Sequence, residues 1–560
     1  MKAPLIRSSL GICLLFVLLS ATSEAVQEGS PNQVPIDGQP NPIKTNISQT
    51  FRAHALLVGM NLSGLDLSRT SLNQSELQGS DLRGTNLSRS FLTQSRLFDA
   101  KFAEANLSGA VMAEADLHGS DLSGADLRGA FMQSCNLIGS NLTGADLSGA
   151  VLDQSILSNS TLIGAKLNGT TLWAAKINDA NLSGALLVRA LMNRATLERS
   201  QLNGADLTEA SLVRSDLIDA NISHADLTKS DISRSSIMGV NFYGSNLANV
   251  RLVFSNLTHT NFSRADLSYS NLQTSDLSGS NLSNADLRAS VLTNANMANC
   301  ILAGARLANA DLSETTITDA DLRGTDLSGA KLTGADLTGA NLSGATLDNA
   351  ILLGAKLNFA DLRDCYLSQC VLSRAELYSS NLSGANLGMV DLSRAYIMRS
   401  NLTGANLDAA GLAYTDLTET DLKRASLKWS KLMAADLTRT DFTDADLTSA
   451  SFDTTIMTQT KMAGAKMRKA SFKNMVVTGA DWSNADLKEA ELDNVILDKV
   501  NMSGADLSGA NFFQVSISEC DLNGTNLMGI TYDKSVIEHL AESDLRSTKI
   551  SEDLRNRLKE

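Results

Sequence analysis

From Leu57 to Tyr532 every fifth residue is apolar, in one unbroken register of 96 consecutive positions that includes Phe102, Met132, Ile177, Trp482 and Leu527. Two residues before each of these centres stands mostly Ala, Ser, Thr, Cys or Val, as in Ala125-Asp126-Leu127-Arg128-Gly129 and Ala335-Asp336-Leu337-Thr338-Gly339. A period of five matches neither a helix, whose side chains return to one face about every 3.6 positions, nor a strand, whose side chains alternate between two faces. It demands a backbone that turns a corner in every repeat, so that one large and one small residue face inward and three face outward. No proline follows Pro42, as expected where nearly every backbone N–H is needed in a hydrogen-bond ladder. The pattern predicts an all-β solenoid.

The charge pattern sets the size of one coil. If a coil holds four repeats, residue n lies over n+20 and n−20 as a cross-strand neighbour. Eleven basic residues occupy the outward slot just before a centre, and six of them lie between acids at both offsets: Arg96 (Glu76, Asp116), Lys101 (Asp81, Asp121), Arg306 (Asp286, Asp326), Lys356 (Asp336, Glu376), Lys461 (Asp441, Asp481) and Lys466 (Asp446, Asp486). At each of the offsets 5, 10 and 15 only one of the eleven is so flanked. Four repeats per coil give about 24 coils and, at a strand spacing of about 4.8 Å, a rod roughly 115 Å long.

Tandem A-[DN]-L-x-x units of this kind resemble the pentapeptide-repeat family over about 85% of the chain. The resemblance implies a right-handed quadrilateral parallel β-helix, with the Leu or Phe filling the core centre and the small residue tucked beside it. Some members of that family are dimeric acidic rods that imitate duplex DNA and bind type II topoisomerases, so a DNA-mimic rod is the alternative function. Charge density weighs against it. The net charge is −14, and loss of a +1 leader leaves about one net charge per 8 Å of rod, against one per about 1.7 Å of duplex.

Residues 1–25 read as a secretory signal: Lys2 and Arg7 supply a positive start, Leu10 to Leu19 an apolar run, and Ser23-Glu24-Ala25 a small-x-small cleavage site. The mature chain is expected to begin near Val26, in the periplasm, in a lumen or secreted. A retained anchor is the alternative, although the run falls short of the roughly 20 residues that span a membrane. Cys13 lacks a lipid-attachment context because Ile12 is too bulky. Residues 26–54, with Pro31, Pro35, Pro40 and Pro42, read as a flexible linker and N-terminal cap, residues 55–534 as the repeat domain, and residues 535–560 as a C-terminal helical cap. There Ser535-Val536-Ile537-Glu538 reads as a capping box, Ile537, Leu540, Ala541 and Leu545 as an apolar helical stripe, and Ile550, Leu554 and Leu558 as a second short helix.

No catalytic, metal-binding or cofactor-binding residue is expected. The five histidines (His54, His118, His224, His259, His539) share no face and neighbouring coil, which leaves neither a metal set nor a triad. Outside the signal the cysteines (Cys135, Cys300, Cys365, Cys370, Cys520) all occupy the small inward slot and read as slightly larger alanines. Outward acids recur wherever the repeat places Asp or Asn, so a carbohydrate-active enzyme built on paired carboxylates is a second, weaker alternative. Sequons such as Asn141-Leu142-Thr143 arise from the same motif. The run Lys461, Lys466, Arg468, Lys469 and Lys473 reads as part of the salt-bridge ladder rather than an anion site. The centres Met457, Met462, Met467, Phe472 and Val477 suggest irregular coils there.

One outward column departs from the polar norm. Phe91, Val111, Phe131 and Val151 stack in four successive coils, and Leu191 extends the line beyond Thr171. A stripe of this kind is a candidate partner or dimer surface, against the simpler role of cross-strand packing that stabilises a sheet face. Ile456, Val476 and Ile496 form a shorter one. The function expected is a non-catalytic exported scaffold or binding rod. Its partner is expected to be a protein or cell-envelope component, not nucleic acid, with homodimerisation left open.

Overall fold

A computed structural model describes residues 52–559. The expected signal, its cleavage site, Cys13 and the linker as far as residue 51 lie outside the described residues. The chain divides into two compact units, one ending at Asp226 and one beginning at Leu227.

In the first unit residue n pairs in parallel with residue n+20, at four positions in every coil: Leu56 with Glu76, Asn61 with Asp81, Asp66 with Asn86, Ser71 with Phe91, and so on to Asp206 with Asp226. Each position exchanges bonds with both neighbours. Phe91 N–H donates to Thr70 O at 2.9 Å, and Leu92 N–H donates to Val111 O at 2.7 Å. The second unit has the same register, from Asp231 with Arg251 to Asp506 with Asn526. Both units are parallel β-solenoids.

Between ladder positions the chain bends in a type II turn. In Leu122-Ser123-Gly124-Ala125, Ala125 N–H donates to Leu122 O at 3.0 Å while Gly124 holds φ at +63°. Positive φ at the third residue defines that turn and favours glycine there. Every centre from Leu57 to Leu527 is buried. In the small slot, buried hydroxyls donate to carbonyls of the centres. Ser80 Oγ reaches Leu77 O of the preceding repeat, in its own coil, at 2.6 Å, and Thr85 Oγ1 reaches Leu62 O one coil back at 2.9 Å. Ser and Thr can therefore replace Ala at no exposure with the hydroxyl paired, although the buried Ser230, Ser270 and Ser430 hydroxyls have no partner. Core rings stack at the same register, Phe242 on Phe262 at 5.1 Å and Phe452 on Phe472 at 4.9 Å.

Near the methionine-rich centres the ladder runs on through one corner instead of breaking. Strands β1 (Ser451–Asp453) and β2 (Ile456–Thr458) both pair with β3 (Ser471–Thr478), which pairs along its length with β4 (Glu491–Asp498). Met475 and Val495 occupy the small slot at this corner and pair with each other. Strands β5 (Asn511–Phe513) and β6 (Ser516–Ser518) follow on β4.

The C-terminal residues depart from expectation in two places. Helix α1 (Lys534–Ala541) is capped by Asp533, whose carboxylate accepts from Ser535 and Val536 N–H; Ser535 lies inside the first turn and is not the cap. Asp533 is extended, as a cap must be, and its second oxygen accepts Gln514 N–H at 2.7 Å, tying the helix start to the preceding coil. The start moves upstream from Ser535 to Asp533, so the buried pair is Val536 and Leu540, while Ile537 and Leu545 are half-buried and Ala541 is exposed. Leu540 faces a small apolar cavity with Phe512, Leu522, Leu527 and Ile530. Ile550 is not helical. It lies in β9 (Lys549–Ile550), which pairs with β7 (Asn526–Leu527), and Lys549 N–H donates to Thr525 O at 2.8 Å. A strand there satisfies ladder groups that a helix would leave open. Strand β8 (Thr531–Tyr532) pairs with β5. Helix α2 (Glu552–Arg557) starts only at the Ser551 cap and buries Leu554.

Candidate partner-binding surfaces

The outward Asp and Asn residues are turn-formers before anything else. Asn61 Oδ1 accepts Ser63 N–H at 3.1 Å, Asp66 Oδ1 accepts Ser68 N–H at 3.0 Å, and Asn341 Oδ1 accepts Ser343 N–H at 3.1 Å. This bond from a side chain to the N–H two residues on orients the corner that follows. It accounts for acids at this slot without a chemical role.

The basic residues neutralise them by more routes than a spacing of 20 reveals. Arg96 reaches Glu76 at 3.7 Å, Arg306 reaches Asp286 at 2.7 Å, Lys356 reaches Asp336 at 4.0 Å and Lys461 reaches Asp441 at 3.7 Å, each on the preceding coil. In Asp-x-Arg repeats the arginine folds back on its own aspartate instead, as in Asp126–Arg128 at 2.6 Å and Asp361–Arg363 at 2.7 Å. The fork lowers the Asp126 and Asp361 carboxyls below their ordinary value. A third route runs forward to the following coil, from Arg468 to Asp486 at 2.6 Å and from Lys473 to Glu491 at 3.2 Å, and Lys469 meets Glu489 at 3.7 Å.

Cys135, Cys300, Cys365 and Cys370 are buried free thiols. Cys365 Sγ donates to Leu342 O at 2.9 Å and Cys370 Sγ to Leu347 O at 2.8 Å, and burial pushes all four thiols up to about 12. His118 lies with Nδ1 at 2.8 Å from Asp116 Oδ1 and its ring stacked on Phe98 at 4.8 Å. Among the described residues no three His, Cys, Asp or Glu side chains are grouped to hold a metal ion.

The apolar column lies wholly in the first unit. Ladder pairs run from Phe91 to Val111, Phe131, Val151, Thr171 and Leu191. Phe91, Phe131 and Leu191 are 46%, 45% and 46% exposed, and Val111 and Val151 are half-buried between them. From Ser71 to Ser211 this column carries no charge. Its flanks mix small, polar and charged residues: Ser88, Ser108, Arg128 and Ser148 at one corner and Thr93, Ala113, Gln133 and Asp153 at the other. Trp173, which the column pattern leaves out, adds an exposed ring two residues beyond Thr171, with the Arg194 guanidinium 5.9 Å from its centre. In the second unit Ile456, Val476 and Ile496 also stand in ladder register and exposed.

A second group of rings, two of them exposed and one half-buried, follows no single column. Phe359, Tyr378 and Tyr396 line one depression in the second unit together with Asn358, Glu376 and Met398. The signal available in the sequence is compositional: four of the seven tyrosines fall between residues 366 and 414, none at a core centre.

Residues 53–529 are matched, in successive segments from 53–89 to 497–529, by a family model described as Pentapeptide repeats. A search of curated proteins found no match. Similar solved structures include HetL, a pentapeptide repeat protein involved in heterocyst differentiation regulation from the cyanobacterium Nostoc, 34% identical over 38% of this chain and 88% of that one, with a TM-score of 0.23. A pentapeptide repeat protein of the Arabidopsis thaliana thylakoid lumen is 33% identical over 20% of this chain and 66% of its own, with a TM-score of 0.10. QnrB1, a plasmid-mediated fluoroquinolone resistance protein, is 17% identical over 37% of this chain and 93% of its own, with a TM-score of 0.22. The five-residue period, the ladder register of n with n+20 and the family model agree over nearly all of the described chain, which belongs to the pentapeptide-repeat family.

Proposed function

We propose that this pentapeptide-repeat protein is an exported, non-catalytic binding rod or scaffold, and that the stripe Phe91, Val111, Phe131, Val151 and Leu191 is its partner-binding surface. The observation that carries this is the stripe itself: three large side chains nearly half exposed in one uncharged column that runs through six successive coils, where most outward slots of the repeat hold Asp, Asn or paired charge. Five coil steps make it roughly 24 Å long. An apolar centre with a polar and charged rim is the anatomy of a partner surface. Export is supported by the leader pattern of residues 1–25, and right-handed quadrilateral coils by the family resemblance. A role for α1 and α2 as a cap is supported by the burial of Val536, Leu540 and Leu554.

The test is the mature chain, starting near Val26, carrying Phe91→Asp and Phe131→Asp. Crosslinked capture from an extracytoplasmic extract and light scattering of the purified protein are compared with the unsubstituted form. Loss of a captured partner or of self-association is expected; unchanged capture with unchanged mass removes the stripe as the binding surface. Fractionation of the producing cell tests export separately, and retention of the uncleaved chain in the cytoplasm would end that part of the proposal.

A further inference from the structure

The ring-lined depression in the second unit holds chemistry that the repeat does not need. Asn358 and Phe359, Glu376 and Tyr378, and Tyr396 and Met398 come from three successive coils and enclose an open groove of about 380 Å³. The ladder pairs Lys356 with Glu376 and Glu376 with Tyr396, which sets these coils directly over one another. Phe359 and Tyr378 meet edge to face, with ring centres 5.6 Å apart and planes at 86°, so they form two walls of a corner. Phe359 is 61% exposed and Tyr396 53%.

Stability does not call for these rings. Phe359 holds φ at +60° at a turn position that takes this conformation throughout the repeats, filled by glycine at Gly339 and Gly344 and by other rings at Phe254, Tyr269, Tyr414 and Trp429. That conformation is costly for a bulky side chain, and a ring so exposed recovers little of the cost by burial. The polar groups beside the rings are held in place. Asn358 Nδ2 donates to Glu376 Oε2 at 3.0 Å, and Asn358 Oδ1 accepts Tyr378 N–H at 2.9 Å. Arg399 Nη1 donates to Tyr378 Oη at 3.1 Å and its Nε to Glu419 Oε2 at 2.8 Å, which fixes the tyrosine from outside.

We propose that this groove binds a saccharide chain, with the C–H faces of its sugar rings packed on Phe359, Tyr378 and Tyr396 and its hydroxyls bonded by the Glu376 carboxylate and the Tyr396 hydroxyl. The lining is apolar on its walls and polar at the points between them, which fits a ligand with apolar ring faces and a hydroxyl rim. The groove is open and crosses three coils, so an internal stretch of a chain can lie in it. A quaternary ammonium ion is the other ligand that ring-lined sites take. Here it would meet a guanidinium already 6.0 Å from the centre of the Tyr378 ring, and the Lys356 side chain in ladder register with Glu376.

The test uses the mature chain and titration calorimetry against hexasaccharides of β-1,4-linked glucose, N-acetylglucosamine, mannose and uronate, with choline chloride in parallel. At least one saccharide should bind saturably at or below about 1 mM, and Phe359→Gly or Tyr378→Ala should weaken it about tenfold, as loss of one ring contact does. Glycine suits the φ at position 359, so Phe359→Gly should keep or raise the thermal midpoint while binding falls, which separates a lost contact from a lost fold. Phe91→Asp with Phe131→Asp should leave saccharide binding unchanged. The proposal is overturned if no saccharide of the panel binds at millimolar concentration, if Phe359→Gly with Tyr378→Ala binds as well as the parent, or if choline binds in preference.

Discussion

Replacing Asp286 with asparagine would remove one negative charge and almost no volume from the one carboxylate that is buried among the described residues, its side chain 8% exposed. It accepts from Arg288 Nε at 2.9 Å, from Arg288 Nη2 at 2.7 Å, from Arg306 Nη2 on the next coil at 2.7 Å and from its own turn at Arg288 N–H. Asparagine keeps the turn bond and loses the charge. Hydrogen bonds to charged groups contribute about 1 kcal/mol more than neutral ones, so two guanidiniums suggest about 2 kcal/mol. Both arginines are more than half exposed, and screening of their charge brings the expected loss down to about 1 kcal/mol, about fivefold in an opening equilibrium.

Because coil stability is a nearest-neighbour property, the loss should be read locally, by hydrogen exchange at Leu267, Leu287 and Leu307 N–H. These amides donate across the coils on either side of Asp286. Burial raises the Asp286 carboxyl, but Arg288 and Arg306 more than offset it and hold the group below its ordinary value. The folded value therefore lies below the unfolded one, so the contribution is full above about pH 4 and is lost as pH falls through the folded value. Parent and variant should differ at pH 7, and the difference should shrink as pH falls through the folded value, where the parent carboxyl loses its charge. Equal protection at pH 7, or an undiminished difference in acid, would refute the assignment of local stability to this charge cluster.

Two further outcomes follow from the structure. Asp533→Ala should cost about 1 kcal/mol through the lost cap of α1, seen as faster exchange over residues 534–541, whereas Ser535→Ala should cost clearly less; the reverse order would restore Ser535 as the cap. In the native mature chain, maleimide at pH 8 should modify the half-buried Cys520 first, leaving Cys135, Cys300, Cys365 and Cys370 protected until denaturant is added, because burial pushes those four thiols up to about 12. Mass mapping of the modified peptides checks the order.

The sequence by itself determined the coil. An apolar centre in every repeat and opposite charges one coil apart are consequences of nearest-neighbour stacking, and nearest-neighbour rules leave a period that can be counted. The stripe Phe91, Val111, Phe131 and Val151 was legible for the same reason, since its members differ by one coil each. What only the tertiary structure decided lies at the corners and the end, where position does not follow from period. Arg128 folds onto Asp126 of its own repeat although Asp146 stands one coil on, a choice that the period does not make, whereas Arg468, with Lys466 in the aspartate slot, reaches forward to Asp486. Trp173 beside its stripe, and Phe359, Tyr378 and Tyr396 in their groove, come from different slots of the repeat and meet because coils stack in three dimensions. After Tyr532 the period ends. There Asp533 captured the helix start by also bonding Gln514, and Ile550 became a strand because β7 offered an unpaired edge.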